Sequence, residues 1–313
     1  MMEVIVTADI GGTHIRAAVF PREGSKPLRQ KRITTKGKDS AQVRLNALIA
    51  ELIQPDDKVV AIAAAAPGPT DARLGLVLNA PNISGWENLP LARIIGDQFK
   101  VPVYLGNDAN LAALGEWRFG AGLGHHDLVY LTISTGIGGG VISDDRLLLG
   151  QRGLAAELGH VTVNPDGPMC GCGHRGHLEA FSSGTAIARY VAGQLASGRT
   201  SSLTSIPSPS ARDISAAADN GDPLAIEALE RAGRYLGIAI ANYLHVFNPS
   251  IVILGGGVSS SGALFFLPMR QSLKENVFAP GYLDNLTVTT AALGDDVGLL
   301  GALALAHTSL KAA

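Results

Sequence analysis

Acids beside glycines, and thiols beside imidazoles, are the groups in this 313-residue chain whose types and spacing speak most directly of chemistry. Asp9-Ile10-Gly11-Gly12-Thr13 places paired glycines where a backbone can approach an anion closely, so that successive amides and the Thr13 hydroxyl can hold phosphate oxygens. An ordinary glycine-rich hairpin tip has the same appearance. Ser134-Thr135-Gly136-Ile137-Gly138-Gly139-Gly140 forms a second turn of this kind, and a pair of such turns is what a clamp on one nucleotide's phosphates requires. Asp9 is the only acid in either turn. It is placed to hold the water shell of an Mg²⁺ that bridges the phosphates, or else to cap its own turn. Gly255-Gly256-Gly257 follows the apolar run Ile251 to Leu254 and offers bare backbone to a purine ring, or to a closely packed helix.

Val103 to Asn110, followed by Leu111 to Trp117, reads as a strand that delivers Asn107 and Asp108 to the start of a helix. Helix capping is the common role of Asp at such a place. In a chain that holds a nucleotide, however, phosphoryl transfer to an alcohol needs a carboxylate within hydrogen-bond reach of the attacking hydroxyl. Asp108, at the edge of the expected cleft, is the residue for that base, and Asn107 can orient a neighbouring hydroxyl.

His160, Cys170, Cys172 and His177 supply two thiolates and two imidazoles, a set suited to four-coordinate Zn²⁺. Four protein ligands leave no open position, so the expected metal is structural. Cys170 and Cys172 are the only cysteines, and a disulfide across one intervening residue is strained. The other reading is reduced thiols beside unrelated surface histidines, and His174 is the alternative fourth ligand. Glu157 and Glu179 flank the cluster, where a metal-braced loop would present carboxylates rigidly to sugar hydroxyls, unless they are solvated surface acids.

The elements that must position these groups are legible from pattern. Val4 to Phe20 and Leu128 to Ile142 read as β-hairpins with glycines at their tips. Val59 to Ala66, ending in Pro67-Gly68-Pro69, and Ile251 to Leu254 read as central strands covered on both faces. Leu45, Leu48, Ile49 and Leu52 share one helix face, and another helix begins at Asp222-Pro223 and stops before Asn248-Pro249. Hairpins mixed with strand–helix alternation indicate an α/β fold with mixed sheets. The length allows two lobes with a cleft between them: 1–106 plus 296–313 as the smaller, and 107–295, with the metal loop, as the larger. Ser201 to Ser210 reads as a surface loop without assigned function.

Composition limits the partners. Hydrophobic residues make up 46% and charged residues 17%, which favours a large interior over disorder. A formal charge of −2 with scattered Lys and Arg leaves no basic stripe for nucleic acid. No apolar run approaches the roughly 18 residues of a membrane span, and Met1 to Ile10 runs into a strand without a cleavable leader pattern, so a cytoplasmic location is expected.

Together these residues resemble the ROK family of sugar kinases and repressors, over nearly the whole chain. The resemblance rests on Asp9-Ile10-Gly11-Gly12-Thr13, Asn107-Asp108-Ala109-Asn110, Thr135-Gly136-Ile137-Gly138-Gly139-Gly140, Glu157-Leu158-Gly159-His160 and Cys170-Gly171-Cys172-Gly173, in the family's order and spacing. It implies an actin-like (ribonuclease H-like) two-lobed fold in which a hexose and ATP meet in the cleft, with Mg²⁺ accompanying the nucleotide. It makes Asp108 the general base, assigns sugar contacts to Gly68, Asn82, Asn107, Glu157, His160 and Glu179, and makes His160, Cys170, Cys172 and residue 177 the zinc ligands. The family normally has a third cysteine where this chain has His177. Imidazole coordinates zinc at a shorter distance than thiolate, and the exchange removes one negative charge, so affinity is the property it touches.

The segments around Glu157 and Asn107 look most like the glucokinase branch, which implies transfer from ATP to the glucose 6-hydroxyl. Fructose, N-acetylglucosamine and N-acetylmannosamine are the alternative acceptors, and polyphosphate is the alternative donor. A homodimer is a further family expectation. The repressors of the family carry an added N-terminal DNA-binding domain, whereas here the first strand starts by Glu3 and the net charge is slightly negative.

Overall fold

The computed structural model describes residues 1–312. Residue 313, the end of the segment expected to return to the smaller lobe, lies outside them. Strand β1 (Met2–Ile10) is covered on both faces: Val4, Val6, Ala8 and Ile10 enter one core, and Ile5 enters another. It pairs antiparallel with β2 (His14–Pro21), which pairs with β3 (Arg29–Thr34). Helix α1 (Ala41–Leu52) closes the first core with Leu45, Leu48, Ile49 and Leu52, the face its spacing predicts. Strand β4 (Asp57–Ala66) lies parallel to β1 and leads into a small sheet of β5 (Thr70–Asp71), β6 (Leu76–Asn79) and β7 (Glu87–Leu89). Helix α2 (Leu91–Phe99) and strand β8 (Val103–Asn107) complete a five-stranded mixed sheet in the order β3-β2-β1-β4-β8.

Helix α3 (Asp108–Phe119) begins directly where β8 ends. The second hairpin is β9 (Leu128–Ile133) with β10 (Ile137–Ser143), extended by β11 (Arg146–Leu147). A long loop with the cysteines leads to α4 (Glu179–Ser182), α5 (Gly184–Ala196), α6 (Ala211–Asp219) and α7 (Pro223–Phe247). The last of these has Asp222 as its cap and Asn248 in the left-handed region at its end, as its flanking residues predict. Strand β12 (Ile251–Gly255), helix α8 (Ala263–Asn276) and strand β13 (Thr287–Thr290) complete a second mixed sheet, β11-β10-β9-β12-β13, before α9 (Val297–Ala312). Among the described residues no helix is long and apolar enough to cross a membrane.

The second hairpin differs from its sequence reading. Its tip is only Ser134-Thr135-Gly136, and Gly138, Gly139 and Gly140 are paired residues of β10. A Cβ on Gly138 would lie 2.8 Å from the Ala109 Cβ, one on Gly140 3.0 Å from the Ala109 carbonyl, and one on Gly139 2.7 Å from the Leu158 Cβ. The glycine run therefore lets α3 and the 158–160 turn press on opposite faces of one strand. Gly138, read from sequence as part of the turn, is a paired strand residue in that packing and lies outside the tip.

Helices α3 and α9 cross at glycines. A Cβ on Gly115 would stand 2.9 Å from the Gly301 nitrogen, and one on Gly301 would overlap the Leu111 carbonyl. Through this crossing Ile5 and Ala63 of the first sheet share one core with Leu128, Tyr130 and Ile253 of the second, by way of Leu111, Leu114, Leu299 and Leu303. Glu116 of α3 is fully buried there, and its carboxylate accepts the backbone amides of Ala121 (2.8 Å), Ala292 (2.9 Å) and Leu293 (2.9 Å). Charge-assisted bonds of this kind replace the water that the carboxylate has lost.

Candidate active site

The start of α3 is the centre of the site. Asn107 takes the capping role that its neighbour was equally placed to take: its Oδ1 accepts the amides of Ala109 at 3.0 Å and Asn110 at 3.2 Å. Its Nδ2 donates to the Gly68 carbonyl at 3.0 Å, so β8, α3 and the turn after β4 are fastened at one residue. Gly68 has φ +76°, and a Cβ there would run into the Asn79 carbonyl, which explains the glycine. Asp108 accepts one amide, from Ala109 at 2.8 Å. The residue is exposed yet its carboxyl is surrounded by protein mass, and that burial pushes its pKa up to about 6, helped by the charges of Asp9 and Glu157. Such a carboxyl is ionised at neutral pH and basic enough to accept a proton.

The first glycine turn is braced by Thr35, the residue after β3: its hydroxyl donates to the Gly11 carbonyl at 2.6 Å, and its amide to the Thr13 carbonyl at 2.9 Å. Gly12 lies under Asn82, whose Cβ would be 2.8 Å from a Cβ at Gly12, and Thr13 is exposed. Asp9 precedes the turn. Its Oδ2 is held by Arg16 at 2.8 Å, and Gly298 in the first turn of α9 lies against its carboxyl group. Neither Arg16 nor Gly298 was singled out from sequence, although the hairpin register alone sets Arg16 opposite Asp9.

Two cavities meet at Gly257, and the second of them also borders the second glycine turn. One, of about 690 Å³, is lined by Arg16, Tyr130, Thr132, Gly255, Gly256 and Asp295 among others. The other, of about 740 Å³, is lined by Thr135, Thr185, Ser210, Arg212, Gly257 and Val258 among others. They share Gly257 and Ser260. Gly256 has φ +82°, and a Cβ there would overlap the Ile133 carbonyl, whereas Gly257 faces open space. No α-helix starts at these glycines. A single 3₁₀ turn, Gly257–Ser260, intervenes before α8. The 201–210 loop, unassigned from sequence, contributes Ser208, Pro209 and Ser210 to the second cavity.

Glu179 opens α4 and faces two ways: one oxygen accepts the Ile137 amide at 2.9 Å, and the other accepts the Cys170 thiol at 3.4 Å. It therefore joins the cysteine loop to the end of the second glycine turn. A Cβ on Gly136 would lie 2.5 Å from its carboxylate. Glu157 opens onto the same region, and burial together with the charge of Glu179 raises its pKa against the opposing effect of His160.

His160, Cys170, Cys172 and His177 present ligand atoms that all lie within 4.8 Å of one another. Cys172 Sγ is 3.2 Å from His177 Nδ1, and Cys170 Sγ is 3.7 Å from His160 Nδ1. His174 stands to the side, 3.9 Å from Cys172 Sγ and stacked on His177. Thr162 pairs with His177, and Met169 with Arg175, so backbone pairing already shapes the loop. Two thiols and two imidazoles converging in this way fit a four-coordinate zinc.

The family model described as "ROK family" matches residues 5–309. The chain is 36% identical to a glucokinase of Thermotoga maritima, with 96% of each chain covered. It superposes with a TM-score of 0.78 on a ROK family glucokinase of Streptomyces griseus solved with glucose and AMPPNP, at 36% identity, covering 96% of this chain and 98% of that one. A ROK family transcriptional regulator, a homolog of the E. coli MLC protein, gives a TM-score of 0.88 at 30% identity, covering 99% of this chain and 79% of the regulator. These neighbours have the actin-like two-lobed fold. By sequence and by fold, the chain belongs to the ROK family.

Proposed function

We propose that this chain transfers the γ-phosphoryl group of ATP to the 6-hydroxyl of glucose, with Asp108 as the general base. The observation that carries the reading is the start of α3: Asn107 caps the helix, and the adjacent Asp108 is an exposed residue, with burial of its carboxyl among protein mass raising the pKa to about 6. The 36% identity to a glucokinase over nearly the full length, and the glucose and AMPPNP complex of the Streptomyces griseus enzyme, support both substrates. On this reading Gly11, Gly12, Thr13, Thr135 and Gly136 hold phosphate oxygens, Gly256 and Gly257 border the base, and Asp9 serves the Mg²⁺ that accompanies ATP. That ion supplies neutralisation of phosphate charge. The remaining steps fall to the chain. Gly68, Asn82, Asn107, Glu157, His160 and Glu179 orient the sugar, and Asp108 takes the proton from the attacking hydroxyl as the leaving ADP departs in line.

The same reading places a structural zinc on His160, Cys170, Cys172 and His177. Nδ1 of His160 points to the cluster, which leaves its other nitrogen for the sugar side and lets the metal loop shape the pocket. It also divides the chain into 1–106 plus 296–313 as the smaller lobe and 107–295 as the larger.

The test is a coupled assay of purified protein with Mg²⁺, ATP or polyphosphate, and a panel of glucose, mannose, fructose, N-acetylglucosamine and N-acetylmannosamine. Preference for ATP and glucose is expected. Turnover of an amino sugar alone would keep the mechanism and replace the acceptor. Sugar binding without turnover of any would overturn the kinase reading.

A further inference from the structure

Asp9 and Arg16 are directly opposed across the first hairpin, on the face of the sheet against which α9 packs. Arg16 directs two N–H groups at one oxygen of Asp9, Nη2 at 2.8 Å and Nε at 3.3 Å from Oδ2. Nη2 also donates to the Asp295 carbonyl, and Nη1 stands 3.8 Å from the Asp296 carboxylate. On the other side, a Cβ at Gly298 would lie 2.5 Å from the Asp9 carboxyl carbon, so the absence of a side chain there lets α9 close on the acid. The pair is mostly shielded, Arg16 being 19% exposed and Asp9 23%. Arg16 also lines the 690 Å³ cavity beside Gly255 and Gly256. At the far end of the segment that enters α9, the Ala292 and Leu293 amides are held by buried Glu116. The 292–296 segment is thus pinned by an anion from α3 and a cation from β2.

We infer that Arg16 is a positioning residue for phosphoryl transfer. It locks Oδ2 of Asp9, leaves Oδ1 free of the guanidinium, and ties the 292–296 segment to the first sheet so that this side of the nucleotide cavity is held in one geometry. The inference rests on the role proposed above for Asp9. A planar fork is required: a lysine ammonium is a point charge and cannot reproduce paired N–H bonds to Asp9 together with the bond to Asp295.

A double-mutant cycle of Arg16→Gln and Asp9→Asn tests it, read as kcat/KM for Mg·ATP and, by calorimetry, as affinity for the Mg²⁺ complex of a non-hydrolysable ATP analogue. Glucose affinity and thermal melting serve as controls. Hydrogen bonds to a charged group are strong enough that R16Q should lower kcat/KM for ATP by about 10- to 100-fold with glucose affinity unchanged. In the D9N background the same substitution should change it by less than about 3-fold, because a residue that acts through another is silent once that other is gone. R16K should recover only part of the loss, and it carries the cycle in place of R16Q if that variant melts. Full activity of R16K would overturn the fork. A crippled D9N to which the R16Q loss simply adds would overturn the coupling while leaving the kinase reading intact. A D9N enzyme with normal ATP kinetics would remove the Asp9 role, and the inference with it.

Discussion

The pKa of Asp108 makes a quantitative prediction about pH. Burial, with the charges of Asp9 and Glu157 nearby, lifts the carboxyl to about 6 from an ordinary value of 3.8. As a general base it works only when ionised. A group with that pKa is about nine-tenths ionised at pH 7 and about one-tenth ionised at pH 5, so kcat/KM for the sugar should fall roughly tenfold between them. An unperturbed aspartate would still be more than about 90% ionised at pH 5 and would produce almost no fall. The assay should follow sugar phosphate directly, by NMR or chromatography, so that coupling enzymes do not contribute their own pH profile. Asp108→Ala should lower turnover by about 10²- to 10⁴-fold. The same shift has a stability consequence of opposite sign. The folded state binds this proton more tightly than the unfolded chain, so ionising Asp108 opposes folding, increasingly as pH rises from 3.8 to about 6 and fully above that. Asp108→Asn should therefore melt no lower than the parent at pH 7, and its advantage should vanish below pH 4. An acid limb near pH 4, or near-normal turnover in Asp108→Ala, would refute the assignment.

Other perturbations address the frame around the site. Gly301→Ala would gain about 1 kcal/mol from helix propensity, yet its methyl overlaps the Leu111 carbonyl. Forcing α3 and α9 apart should cost more than it gains, about 1–3 kcal/mol, seen as a lower midpoint in urea. Removing the Glu116 carboxylate by Glu116→Ala strands the amides of Ala121, Ala292 and Leu293, each at about 1–3 kcal/mol; chemical denaturation should show a loss well beyond that of Glu116→Gln. Titrating metal-free protein with Co²⁺ should give the absorption of one tetrahedral thiolate-bound ion per chain. Cys172→Ser should weaken that binding sharply, whereas His174→Ala should leave it nearly unchanged.

Much of the fold was legible because its signals are local. The apolar face of α1, the Asp222-Pro223 start of α7 and the two hairpins each depend on residues within a few positions of one another. The converging thiols and imidazoles were legible for the same reason, all lying between His160 and His177. Where local chemistry allowed two answers, the contacts of the folded chain chose. Asn107 and Asp108 are both competent caps, and what commits Asn107 is a bond to the Gly68 carbonyl, 39 residues away.

From types and spacing alone came the glycine turns, the acid at the head of a helix and a zinc-like ligand set, because close backbone approach, capping and metal coordination each demand particular residues at short separations. Tertiary structure decided what those residues meet. It assigned Gly138 and Gly140 to the packing of α3 on β10 and Gly139 to that of Leu158, set Gly298 against Asp9, turned Glu179 toward both Cys170 and the Ile137 amide, and brought the 201–210 loop to the wall of a cavity. The Arg16–Asp9 pair is set by the first hairpin by itself, and the Glu179–Cys170 contact is local to the cysteine loop; the other outcomes are contacts between segments far apart in the chain, and such contacts exist only once the chain has folded on itself.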